Sequence, residues 1–133
     1  MFFNTDANLW TLELLEHGKR LGRIIAVRDG ARLLLSDIRL ENPKHKHQGI
    51  GSRLLNEFLT KAQKSGINEV WGSVTQDDIQ KTSYLLDWYQ RRGFSVLEPD
   101  DKCVKPAVRK IMMKLPNKVS EIIGDLRLHQ SQR

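Results

Sequence analysis

The eight residues Lys46-His47-Gln48-Gly49-Ile50-Gly51-Ser52-Arg53 place two glycines two positions apart at the head of the strongest helical pattern in the chain. Glycine lets backbone approach a ligand closely, and the free amides and positive dipole end of a helix suit a phosphate or pyrophosphate. All eight are therefore candidate anion-binding residues, with Lys44 and Lys46 adding positive charge at the entrance. Two common nucleotide loops are excluded by spacing. A dinucleotide fingerprint needs a third glycine where Leu54 stands, and a Walker loop needs Gly-Lys-Ser/Thr after four intervening residues. Taken alone, Gly-x-Gly at a helix start is equally a tight strand-to-helix turn.

Other reactive side chains are sparser. His45 and His47 titrate near neutrality and alternate as metal ligands can, but no convincing third ligand accompanies them, so they read as exposed loop histidines and no metal is expected. Cys103, the single cysteine, has no Cys-x-x-Cys partner and is a poorly supported nucleophile. Trp10, Trp71 and Trp88 fall on predicted elements and read as core or pocket wall, not as a row for stacking nucleic-acid bases.

The elements that must position the loop emerge from periodicity. Leu9 to Glu16 and Leu21 to Arg28 are short apolar-rich runs split by His17-Gly18-Lys19-Arg20, and Asp29-Gly30 leads into Ala31 to Leu40, so three antiparallel strands open the chain. The pattern then changes to a period near 3.6: Ile50, Leu54, Leu55, Phe58, Leu59 and Ala62 share one stripe that stops at Gly66. Glu69 to Val74 reads as a strand, Thr82 to Arg92 as a second helix, and Phe94 to Leu97 and Val108 to Leu115 as closing strands. This order implies an α+β, or mixed α/β, domain over 1–116 with one central sheet, in which the third strand and Glu69 to Val74 are parallel neighbours.

Composition bounds the function. The chain has 133 residues, 39% hydrophobic and 29% charged, which suits one soluble domain with a core. No apolar run is long enough for a membrane span and the start lacks a signal-peptide pattern, so the reading is intracellular and cytoplasmic. The net charge of +6 is uneven, since residues 105–133 hold seven Lys/Arg against Glu121 and Asp125. Basicity therefore belongs mainly to the last strand and to a tail over 117–133, in which Val119, Ile122, Ile123 and Leu126 fall on one stripe of a short helix. Nucleic acid is not the expected partner.

With these residues in place, the sequence resembles the GNAT superfamily of acyl-CoA-dependent N-acyltransferases. Lys46-His47-Gln48-Gly49-Ile50-Gly51 is similar to that family's phosphate loop, and Trp88-Tyr89-Gln90-Arg91-Arg92-Gly93-Phe94 to its aromatic-Tyr-x-x-x-Gly-Phe helix end. Three features depart from the pattern: Lys46 replaces Arg or Gln, Thr82 replaces a frequent Asn with a longer connection after Val74, and the chain begins almost at the second family strand, implying that the first strand and its helices are missing.

The resemblance implies a shortened GNAT-like sheet and direct transfer of an acetyl group from acetyl-CoA to an amine acceptor, either a small molecule or a protein, by a monomer or homodimer. It implies Tyr89 as general acid for the departing thiolate, Asp37 or Glu41 as base, and a backbone amide near Leu40 or Glu41 facing the thioester oxygen. Strand alternation puts Leu35, Asp37 and Arg39 on one face, with Glu41 next in line if the strand stays regular. A non-catalytic CoA-binding or interaction module on the same fold is the alternative.

Overall fold

The computed structural model describes residues 1–41, 49–103 and 106–116. The elements are β1 (Phe2–Asp6), β2 (Leu9–Glu16), β3 (Lys19–Asp29), β4 (Arg32–Leu40), α1 (Ile50–Lys64), β5 (Glu69–Thr75), α2 (Gln76–Lys81), α3 (Leu85–Arg91), β6 (Ser95–Leu97) and β7 (Ala107–Lys114). They build a mixed seven-stranded sheet in the order β1-β2-β3-β4-β5-β7-β6, in which β4 and β5 are parallel as expected and every other pair is antiparallel.

Burial follows the alternation that defines the strands. Trp10, Leu12 and Leu14 on β2 and Gly22, Ile24 and Ala26 on β3 point inward, beneath the α1 stripe of Ile50, Leu54, Leu55, Phe58 and Ala62. Tyr89 and Phe94 join the same core, and Gly93 sits against Met113 of β7, so α1 and α3 cover one face of the sheet. On the opposite face no helix lies among the described residues, and Leu9, Leu15 and Val27 stay exposed. Trp71 is covered there by cations, with the Arg32 guanidinium 5.6 Å and the Lys110 ammonium 5.2 Å from its ring centre. No helix among the described residues is long and apolar enough to cross a membrane.

Three expectations need correction. A first strand does exist: β1 pairs along β2 through a turn of only Ala7 and Asn8, and Phe3 meets Trp10 edge-on at 5.3 Å. Its alternation is hard to read because it is an edge strand, exposed at every position but Phe3. The helix expected from Thr82 to Arg92 begins only at Leu85, as α3, and a separate short helix, α2, precedes it. Thr75 and Asp78 form a reciprocal capping box that starts α2 at Gln76, and Thr82 leaves helical geometry before α3 begins. Finally, Leu35 and Asp37 do not share a face, because Ile25 pairs with Asp37 while Ala26 pairs with Leu35. Ser36 is thus an extra residue, a bulge that turns Ile38 and Leu40 toward the core and Asp37 and Arg39 toward the bare face.

Helix α1 lies on Gly22 because any larger residue would collide. A Cβ there would stand 2.9 Å from Leu54 Cδ1 and 3.0 Å from the Arg39 carbonyl oxygen. Gly22→Ala is expected to cost roughly 1–3 kcal/mol of stability through overpacking, read as a lower midpoint in urea unfolding with an unchanged slope.

Candidate active site

The bulge at Ser36 sets the geometry of the site. Strands β4 and β5 pair only at Arg32–Glu69, Leu33–Val70 and Leu34–Trp71, and then part. Gly72 marks the fork, since a Cβ on it would press to 3.1 Å from the Leu35 carbonyl oxygen. Beyond it opens a cavity of about 720 Å³, within the size range of cofactor pockets. Its lining draws on both faces of the sheet, with Gly49, Gly51, Ser52, Trp88 and Tyr89 on the helical face and Asp37 and Arg39 on the bare face.

At the helical end stands the N-terminus of α1. Gly49 takes φ +79°, a left-handed conformation that favours glycine, and no side chain among the described residues caps the helix. The Arg53 amide donates to the Gly49 carbonyl, so the amides of Ile50, Gly51 and Ser52 are those left without an intrahelical acceptor. No acid stands in the first turn. An alanine at Gly51 would meet Trp88 only at an ordinary 3.5 Å, so packing does not demand glycine there, whereas close approach of a ligand would. The side chain of Arg53 is exposed and does not line the cavity. Lys46, His47 and Gln48 lie outside the described residues, as do Lys44, His45 and the 117–133 tail.

Arg92 is the functional residue that motif reading missed at this end. Its guanidinium donates to the Ser52 hydroxyl, stacks over Trp88 at 5.3 Å and lines the cavity, while its Nε is buried without a hydrogen-bond partner. A buried cationic donor without a partner is costly. Together with the uncapped amides it suits an anion, and these groups fit the phosphates of a CoA.

Also on the helical face, Tyr89 lies in the cavity wall, 7% exposed, its ring edge-on to Trp88 at 5.1 Å and to Phe94 at 5.3 Å. Burial pushes its phenol well above the ordinary range, and the charges of Asp78 and Asp37 push it the same way, so the hydroxyl holds its proton at neutral pH. Asp37 also lines the cavity, where Arg39 Nε stands 3.5 Å from its carboxylate. Glu41 is placed elsewhere: its carboxylate pairs with Arg20 Nε at 2.8 Å and does not line the cavity. The Glu41 amide donates to the Leu21 carbonyl of β3 at 3.0 Å. Successive amides on a strand point to opposite edges, so the Leu40 amide points away from β3, into the gap where β5 has parted. Thr82 lines the cavity beside Asp78, a neighbour that the Thr75-x-x-Asp78 capping pattern could have revealed. Cys103 is buried away from the cavity, donating to Asp100 at 3.5 Å.

The comparisons with known proteins agree with this architecture. A sequence model described as the acetyltransferase (GNAT) family matches residues 3–97. Among solved structures, the PaiA N-acetyltransferase of Thermoplasma acidophilum, in complex with coenzyme A, is 22% identical with a TM-score of 0.68, over 81% of this chain and 62% of that one. This chain therefore spans less than two thirds of that enzyme's length. A GNAT-family acetyltransferase of Staphylococcus aureus Mu50 is 16% identical with a TM-score of 0.69, over 83% of this chain and 70% of that one. The ribosomal-protein-S18-alanine N-acetyltransferase of Escherichia coli is 20% identical with a TM-score of 0.63, over 84% and 71%. Among curated protein sequences none matches. With the family model spanning most of the chain and the sheet, the fork and the uncapped helix all in their places, the chain belongs to the GNAT acetyltransferase family.

Proposed function

We propose that this chain is a cytoplasmic, acetyl-CoA-dependent N-acetyltransferase that passes an acetyl group directly to an amine. The observation that carries the reading is the cavity at the forked sheet, which joins an uncapped helix N-terminus, an unpartnered arginine donor and a protonated phenol on the helical face to a carboxylate from the bare face. Acetyl-CoA would supply an acetyl group activated as a thioester.

The amides of Ile50, Gly51 and Ser52, with Arg92, hold the pyrophosphate; Lys46, His47, Gln48 and Arg53 are proposed to complete that loop. The unpaired edge of β4 orients the pantetheine arm by main-chain hydrogen bonds. Leu40 donates its amide to the thioester oxygen as negative charge gathers there. Asp37 takes the proton of the attacking amine through water, and Tyr89 gives its own proton to the departing sulfur. The proton on Asp37 then restores Tyr89, so the site ends as it began. Glu41, already paired with Arg20, is left out of the proton path. The acceptor is a small-molecule or protein amine, and the active form is a monomer or homodimer.

Calorimetric titration with acetyl-CoA should give saturable binding selective over ATP. Gly49→Glu should weaken it by about 10- to 100-fold through loss of charge-assisted hydrogen bonds. Unchanged affinity would sink the phosphate-loop assignment, and binding without turnover on any amine would identify a CoA-binding module instead.

Tyr89→Phe should lower kcat by about 10²- to 10⁴-fold with acetyl-CoA affinity kept; intact turnover across the pH range would remove Tyr89 from the mechanism. The same variant tests the raised phenol. An unfolded tyrosine releases its proton near pH 10 or so, below where the buried one does, so the contribution is fully present under that pH and is lost as pH rises past it. Wild-type stability should therefore fall more steeply than that of Tyr89→Phe above about pH 10, as read from urea midpoints.

A further inference from the structure

Two arginines stand directly opposite each other on the bare face of the sheet. Arg23 of β3 pairs in register with Arg39 of β4, and both point away from α1, since their neighbours Gly22 and Leu40 meet at the α1 face. Like charges directly across a sheet destabilise it. Arg23 carries a second cost: its Nε is buried without a hydrogen-bond partner, and none of the ion pairs among the described residues includes it. The nearest acid across the other strand, Glu13, is engaged by Arg20 at 3.0 Å. Arg39 is 59% exposed in its side chain and holds Asp37 loosely, at 3.5 Å. Glu13 across from Arg23 and Asp37 beside Arg39 offset the like charges in part, but neither closes a hydrogen bond on Arg23 Nε. An anion bound between the two guanidinium groups would.

The position says where that anion comes from. The cofactor phosphates belong at α1, on the other side of the sheet, while Arg39 and Asp37 line the cavity from the bare face. Resting on the acetyltransferase reading, we infer that Arg23 and Arg39 form an acceptor-specificity site for an acidic group carried by the amine substrate. Asp37 and Arg39 are two residues apart on an extended strand, so amine and acid lie about 7 Å apart. That is the span of a peptide whose second residue is acidic, laid along β4 with its N-terminal amine at Asp37. Drawing Arg39 toward the peptide's carboxylate releases Asp37 to accept the amine's proton.

The test uses the full chain and two tetrapeptides with free N-termini, one with glutamate and one with glutamine in second place. Each is titrated with and without saturating CoA, and acetyl-CoA is titrated separately. The glutamate peptide should bind at least about tenfold more tightly, as expected for charge-assisted hydrogen bonds. Arg23→Gln and Arg39→Gln should each abolish that preference while leaving acetyl-CoA affinity unchanged, and Arg23→Lys should restore part of it. Arg23→Gln should also melt no lower than wild type, because it removes both costs. Equal affinities for the two peptides, binding of neither, a preference that survives both substitutions, or a lower melting temperature for Arg23→Gln would overturn the site. Failure of acetyl-CoA to bind while the peptide preference holds would instead overturn the acetyltransferase reading and leave the anion site standing.

Discussion

The parting of β4 from β5 is the constraint on which the rest of the molecule depends. A continuous parallel pair would close its own hydrogen bonds and leave no space between helix and sheet. Here three paired rows anchor the strands, Gly72 lets them touch at the fork, and the extra residue at Ser36 rotates the remainder of β4. One inserted residue has three consequences. It carries Ile38 and Leu40 into the core, turns Asp37 and Arg39 to the bare face, and aims the Leu40 amide at the gap. Core packing and site geometry therefore share one origin, and any change that straightened β4 would disturb both.

Helix α1 adds the second fixed part. Its buried stripe from Ile50 to Ala62 ties it to β2, β3 and β4, and Gly22 allows the contact with Leu54 to be close. The helix end is thereby held over the cavity, and its first amides meet no acceptor among the described residues. In a structure built only for stability, a serine, threonine or aspartate would stand at the cap and remove that cost. Gly49 stands there instead, and the groups around it, Ser52 and Arg92, are donors. On the proposed reading the α1 N-terminus is thus organised around an anion.

Much of this was legible in the sequence, for identifiable reasons. Strands β2 and β3 alternate, β4 does so as far as Leu35, and α1 has an unbroken apolar stripe, so periodicity found them within a residue or two. The two glycine-bearing motifs, around Gly49 and Gly93, carried the family resemblance because each combines a backbone requirement with a helix boundary. What escaped has equally definite causes. An edge strand such as β1 shows too little burial to alternate, and the capping box of Thr75 and Asp78 sits in a stretch whose polar residues read as connection. The bulge at Ser36 leaves no compositional mark, so a regular strand put Leu35 on the wrong face relative to Asp37. Arg92 and Arg23 were invisible because their meaning lies in what they lack, which only the folded chain displays.

Those two arginines, the only side chains among the described residues with buried nitrogens that make no hydrogen bond, sit on opposite faces of one sheet, Arg92 in the cavity wall and Arg23 across from the cavity-lining Arg39. A native core rarely tolerates such groups without a reason. Random imperfections would scatter, whereas these bracket the fork. Arg92 lies with the uncapped amides of α1, and Arg23 opposite Arg39 beside Asp37. On the proposed reading each gains its missing partner when an anion arrives, so binding energy from remote parts of the two substrates would be converted into satisfied donors at either end. The reacting atoms between them can then be held by nearly neutral groups, the Leu40 amide and the protonated Tyr89 hydroxyl. Substrate charge is met at the periphery and kept away from the point of transfer, where it would disturb the proton on Tyr89 that the departing sulfur needs.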